Sequence, residues 1–183
     1  MKERVLSVLL AIVMVVGLFP VTAGALPAAH HTHPVCGATH SDIGDHAGEC
    51  AHITWTEWNG TDKDDNTEGI QLTEGSYYLG ENITVSSFVE ISGEVNLCLN
   101  GHSITSSGES TITVSEGAVL NICDCSTGET GGKIANTSYS NGRGINNSGT
   151  VNIYGGTIEA TGDRGYGINN SGIVNVYGGS VGG

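Results

Sequence analysis

Gly144-Ile145-Asn146-Asn147-Ser148-Gly149-Thr150-Val151-Asn152-Ile153-Tyr154-Gly155-Gly156-Thr157-Ile158 is followed almost unchanged by Gly167-Ile168-Asn169-Asn170-Ser171-Gly172-Ile173-Val174-Asn175-Val176-Tyr177-Gly178-Gly179-Ser180-Val181. Asn152 recurs as Asn175, 23 residues on. Two weaker copies lie upstream, Gly93-Glu94-Val95-Asn96-Leu97-Cys98-Leu99-Asn100-Gly101 and Gly117-Ala118-Val119-Leu120-Asn121-Ile122-Cys123-Asp124. The equivalent asparagines Asn96, Asn121, Asn152 and Asn175 are spaced 25, 31 and 23 residues apart. The longest gap is expected to hold an insertion around Cys125 to Thr130 that leaves the coil as a loop. A fixed period of this length is the mark of a stacked repeat.

Each copy offers three short β runs, at 144–147, 151–154 and 157–160 in the last full one, and no helical period. The fold class expected is all-β, a right-handed parallel β-helix with three short strands per coil. No leucine pattern supports a leucine-rich repeat, and the repeat is too short for a propeller blade. Period-two alternation points Val95, Leu97, Leu99, Leu120, Ile122, Val151, Ile153, Val174 and Val176 inward. It sends the four asparagines outward in register. The Asn-Asn-Ser-Gly segments belong at corners, where Asn and Gly accept turn backbone and stacked amides share hydrogen bonds. Upstream, 75–79, 83–86 and 88–91 read as strands of a first, less regular coil.

Outside the repeat the chain divides into a signal peptide, 1–25, a His/Cys-rich leader with an acidic linker, 26–69, and the β-helix, 70–183. Lys2 and Arg4, the apolar run Val5 to Phe19 and Ala23-Gly24-Ala25 form the three parts of a secretory signal. The run is short for a membrane span, which needs about 20 residues. A secreted, extracellular product is expected, with no membrane insertion once the signal is cut. Gly183 falls inside a repeat, so the β-helix is expected to be truncated there, continuing into or stacking on further coils.

The formal charge is −13 at pH 7. Only Lys63, Lys133, Arg143 and Arg164 are basic after the signal segment, which argues against nucleic acid or anionic lipid as partners.

The leader concentrates His30, His31, His33, Cys36, His40, His46, Cys50 and His52. Cys36, His40, His46, Cys50 and His52 are candidate ligands for a structural zinc ion, since thiolate and imidazole suit that metal. A Cys36–Cys50 disulfide and a simply polar leader are the competing readings. No cofactor is otherwise required. Asp62-Lys63-Asp64-Asp65-Asn66-Thr67-Glu68 begins like a calcium loop but has Thr67 where the turn glycine belongs, and a solvated acidic linker is the better reading. Cys98 and Cys123 hold the same position in successive coils, as a disulfide or as a column of thiols, and Cys125 leaves the count odd.

Trp55 and Trp58 are candidates either for stacking on sugar rings or for anchoring the leader on the first coil. Tyr154 and Tyr177 form an outward aromatic stripe suited to pyranose rings or to cross-strand packing. Asp124, Glu129, Glu159 and Asp163 occupy non-equivalent positions, and no catalytic constellation emerges.

With these residues in view, the chain resembles secreted surface proteins of Gram-positive, largely gut-dwelling bacteria. The matching stretches are Cys36-Gly37, Trp55-Thr56-Glu57-Trp58, Tyr77-Tyr78-Leu79, Leu97-Cys98-Leu99-Asn100-Gly101-His102, Leu120-Asn121-Ile122-Cys123-Asp124-Cys125 and the Tyr-Gly-Gly repeats. Similar proteins often carry a further Cys before the Cys-Gly pair, where Pro34 and Val35 stand here. The resemblance implies a pectin-lyase-like β-helix with an adhesin-like or carbohydrate-binding role, attached to the cell wall through a region outside this chain. Its implied partners are glycans or host and cell-surface molecules. The rival expectations are a polysaccharide lyase or glycoside hydrolase whose site lies in coils beyond Gly183, and a purely structural stalk.

Overall fold

The computed structural model describes residues 31–32, 39–40, 49–50, 53–60, 69–126 and 131–183. The signal segment, Cys36, His46, His52 and the acidic run 62–68 lie outside them. Every regular element among the described residues is a strand. Two short antiparallel pairs stand in the leader, His31–Thr32 with Thr39–His40 and Glu49–Cys50 with Ile53–Thr54. The rest is a parallel β-solenoid of about five turns, with three strands and about 23 residues per coil.

Three parallel sheets run along it. The first holds Thr56–Trp58, Gly75–Leu79, Glu94–Cys98, Val119–Cys123, Thr150–Ile153 and Ile173–Val176. The second holds Ile83–Val85, Ser103–Ser106, Lys133–Asn136, Thr157–Ala160 and Ser180–Gly182. The third holds Ile70–Leu72, Val89–Ile91, Ser110–Val114, Arg143–Asn147 and Tyr166–Asn170. The runs expected at 144–147, 151–154 and 157–160 thus fall one in each sheet. Thr56–Trp58, from the segment read as leader, pairs with Gly75–Leu79 and opens the first sheet.

Alternation builds the core. Val95, Leu120, Val151 and Val174 align in one inward column, and Leu97, Ile122, Ile153 and Val176 in the next. Ile83, Ile104, Ile134, Ile158 and Val181 form the column of the second sheet. Ile70, Val89, Ile112, Ile145 and Ile168 form that of the third. Each buried aliphatic is worth about 1.5–3 kcal/mol. Trp58, opposite Leu79 in the register, is buried in the same core. At the other end Val176 and Val181 are exposed, because no described strand stacks beyond theirs.

Corners are fixed by local chemistry. Asn147 is buried in the column of Val114. Its amide nitrogen donates to Asn170 Oδ1 at 2.8 Å and to the carbonyl of Ile173 at 3.0 Å, and its oxygen accepts from Gly149 N at 3.0 Å. Gly156 and Gly179 repeat one corner with φ of +86° and +77°. A Cβ at Gly179 would stand 2.3 Å from the carbonyl oxygen of Gly156, so that corner accepts only glycine.

The long gap differs from the expectation of one insertion. The chain leaves the coil twice, between Cys123 and Lys133 and again over 137–142. The second excursion recurs in the next coil over 161–165. There Ser140 bridges Asp163, with Asn141 N donating to Asp163 O and Asp163 N to Tyr139 O, both at 2.9 Å.

Candidate functional site

The outer face of the first sheet carries two columns of side chains. In one, Ser76, Asn96, Asn121, Asn152 and Asn175 lie in register. Each Asn Nδ2 donates to the preceding coil: Asn96 to Ser76 Oγ at 2.9 Å, then Asn121 to Asn96, Asn152 to Asn121 and Asn175 to Asn152, each onto Oδ1 at 2.8 Å. An amide has two donor hydrogens and two acceptor lone pairs. Within the ladder an asparagine spends one of each, and retains the others for a ligand or water.

Two residues further along each strand runs the second column: Tyr78, Cys98 and Cys123, then Tyr154 and Tyr177. Cys98 is opposite both Tyr78 and Cys123. Tyr154 N donates to Ile122 O and Tyr177 N to Ile153 O, both at 2.8 Å, which carries the ladder one residue past the strand ends. The rings of Tyr154 and Tyr177 stack, with centroids 5.0 Å apart and planes 14° from parallel. Tyr154 is half-buried, whereas Tyr177 is 67% exposed.

The cysteines of this column point away from the aliphatic core, like Asn96 and Asn121, yet both are fully buried. Trp55 and Cys125 close over them, and Tyr78 and Tyr154 pack against the cluster. Cys125 reaches it because the chain bends at Asp124, which clasps the neck of the first excursion. The Asp124 carboxylate accepts from Gly101 N at 2.8 Å, Gly132 N at 2.6 Å, and Ser126 N and Oγ at 3.2 and 3.0 Å. The Sγ atoms of Cys98, Cys123 and Cys125 all lie within 4.8 Å of one another. The structure holds the three as thiols.

Burial pushes the Cys123 thiol well above its ordinary range, reinforced by hydrogen bonds with Cys125 and Cys98. For Cys125 the hydrogen bond with Cys123 acts downward. The bond with Cys98, burial and the negative charges of Cys98 and Asp124 outweigh it, and the net shift is upward.

The residues singled out in the sequence fall unevenly around this face. Tyr154 and Tyr177 are on it. Trp55 is buried over the cysteines and Trp58 in the solenoid core, so neither indole offers a ring face to solvent. Cys98 and Cys123 are adjacent rungs. The leader ligands Cys36, His46 and His52 lie outside the described residues. His40 and Cys50 lie in leader strands whose side chains fall outside them too, so the leader zinc set and the Cys36–Cys50 pairing rest on sequence. Among the described residues, Cys98, Cys123 and Cys125 are the cluster spaced for a metal ion.

No protein-family model, curated protein or solved structure matches this chain. The chemistry of the face therefore rests on its own geometry. Lys133 is paired with Glu159 at 3.1 Å, and Arg143 with Glu109. Two of the described basic groups are thus already matched on an acidic surface, which leaves amides, phenols and the enclosed thiols as the distinctive groups.

The sequence reading missed Cys125 as a member of the cluster and Asp124 as its clasp. The signal was the Cys-Asp-Cys run at the neck of the expected insertion. A tight bend there turns two cysteines toward one point.

Proposed function

We propose that this is a non-catalytic, adhesin-like extracellular surface protein, a right-handed pectin-lyase-like β-helix that contacts neutral glycans along the outer face of its first sheet. The observation that carries the reading is the Tyr154–Tyr177 stack running beside the asparagine ladder. The two rings face each other, so a sugar meets their edges and hydroxyls. Adjacent Asn152 and Asn175 supply amide donors and acceptors at the strand spacing of about 4.8 Å. Apolar ring surface flanked by a few fixed polar groups is the usual composition of a sugar-binding face. The formal charge of −13 favours neutral over acidic saccharides.

The test is a glycan array probed with the secreted, folded protein, followed by titration of any hit. Binding that weakens tenfold or more in Tyr177→Ala, with circular dichroism unchanged, is the expected result. No binding by the folded protein removes the glycan reading and leaves the structural stalk. New reducing ends or unsaturated products in the same incubations would replace it with the lyase or hydrolase reading.

A further inference from the structure

We propose that Cys98, Cys123 and Cys125 form a three-thiolate site for a single soft metal ion of the zinc(II) or copper(I) kind. The site is built from solenoid residues and uses none of the residues named as leader ligands.

The geometry is close to that of ligation. Three sulfurs bound to one ion at about 2.3 Å stand about 4 Å from one another. Here all three lie within 4.8 Å, so closing onto an ion asks for less than about 1 Å of adjustment. Two ligands are fixed by the ladder, since Cys98 and Cys123 occupy facing positions on neighbouring strands. The third is brought in by the bend at Asp124, whose carboxylate is held by Gly101 N, Gly132 N and Ser126. Ligands positioned before the ion arrives need little reorganisation.

The surroundings set the class of ion. The donors are sulfur, and the carboxylate of Asp124, which stands between Cys123 and Cys125 in the chain, is engaged by three backbone N–H groups and one hydroxyl. Hard cations such as calcium and magnesium need oxygen shells, whereas thiolates select zinc and copper(I). Trp55, Tyr78 and Tyr154 wall the cluster and limit water around it. The odd number of sulfurs also matters: a disulfide takes two and leaves a third, whereas one ion engages all three.

The experiment uses the full chain, reduced and stripped of metal with a chelator, with zinc(II) added in one arm and copper(I), under anaerobic conditions, in the other. A Cys36→Ser/Cys50→Ser background separates the leader thiols from the triad. In that background, one equivalent of zinc or copper retained through gel filtration and a higher melting temperature with metal are expected. Adding Cys125→Ser should remove that equivalent and the shift in melting temperature. Metal should also shield all three thiols of the Cys36→Ser/Cys50→Ser protein from alkylation, a readout that needs no triad variant to fold. Retention of neither metal, retention undiminished by Cys125→Ser, or alkylation unchanged by metal would each overturn the proposal.

Discussion

Asn121 and Asn152 are 31 residues apart in the chain, yet their side chains are directly joined, Asn152 Nδ2 donating to Asn121 Oδ1 at 2.8 Å. The neighbouring rungs, Asn96 to Asn121 and Asn152 to Asn175, span only 25 and 23 residues with the same 2.8 Å bond. Two excursions therefore leave the coil without disturbing the register. Loop-closure entropy rises slowly with length, by about 0.6 kcal/mol per doubling, so a few extra residues cost less than a slipped aliphatic column would.

The ladder makes Asn121 a two-sided rung, donating to Asn96 and accepting from Asn152. Asn121→Ala removes both bonds and leaves two half-buried amide groups unmatched, so it should destabilise by about 1–2 kcal/mol. Asn121→Asp keeps the acceptor for Asn152 but sets a carboxylate against Asn96 Oδ1, and should cost more. Urea unfolding, with midpoints that fall in the order wild type, Ala, Asp at constant slope, checks this.

Asp124 holds the neck of the first excursion through charge-assisted hydrogen bonds to Gly101, Gly132 and Ser126. Asp124→Ala should destabilise by about 2–3 kcal/mol, since bonds to a charged group are worth about 1.5–3 kcal/mol. Asp124→Asn keeps one acceptor oxygen and should fall between. The same variants should speed alkylation of Cys125 in the metal-free protein, because the clasp is what carries that residue into the cluster. Equal alkylation rates in wild type and Asp124→Ala would contradict this.

What could be read from the sequence follows the physics of alternation. The aliphatic columns through Val95, Leu120 and Val151 and the register of the asparagines are nearest-neighbour consequences of a two-residue period, and they form as expected. The same alternation assigns Cys98 and Cys123 to the outer face, which is correct, but it carries no information on what covers that face. Their burial depends on Trp55, from before the first full coil, and on Cys125, from an excursion. The second excursion, over 137–142, escaped notice because its counterpart at 161–165 shares its backbone pairing rather than its residues.

Trp58 closes the described start of the core with its indole 2% exposed, and its Nε1 meets no acceptor among the described residues. A buried donor left without a partner costs about 1–3 kcal/mol. Trp58→Phe removes that donor while keeping most of the ring, at the expense of some buried area. The two effects oppose, so the variant should lie within about 1 kcal/mol of wild type, whereas Trp58→Ala should lose about 3–5 kcal/mol. Thermal unfolding of the pair separates the hydrogen-bonding contribution from the packing one. A Phe variant as damaged as the Ala variant would show that the indole N–H is satisfied.

The buried thiols predict a dependence on pH with a definite sign. An unfolded cysteine ionises near pH 8.5. In the folded, metal-free and reduced protein, burial and the bonds with Cys125 and Cys98 raise Cys123 above that value, and Cys125 is raised too, the bond with Cys98 and burial outweighing the downward pull of its bond with Cys123. Below pH about 8.5 both states hold these protons, and the stability contribution is fully present. Above it the unfolded chain releases protons that the folded chain keeps. Stability should then fall by up to about 1.4 kcal/mol per pH unit for each such thiol, until the folded groups titrate in turn. Urea midpoints at pH 7, 8.5 and 10 should therefore decline only across the upper interval, beyond any decline that the other ionisable groups produce. Replacing Cys123 by Ala should make that decline shallower at some cost in packing. A bound soft metal reverses the sign, because coordination deprotonates the thiols in the folded state and unfolding must then take protons back up at neutral pH. The metal-loaded protein should thus gain stability from pH 6 to 8 where the metal-free protein stays level, and the two curves measured side by side distinguish a thiol cluster from a thiolate site.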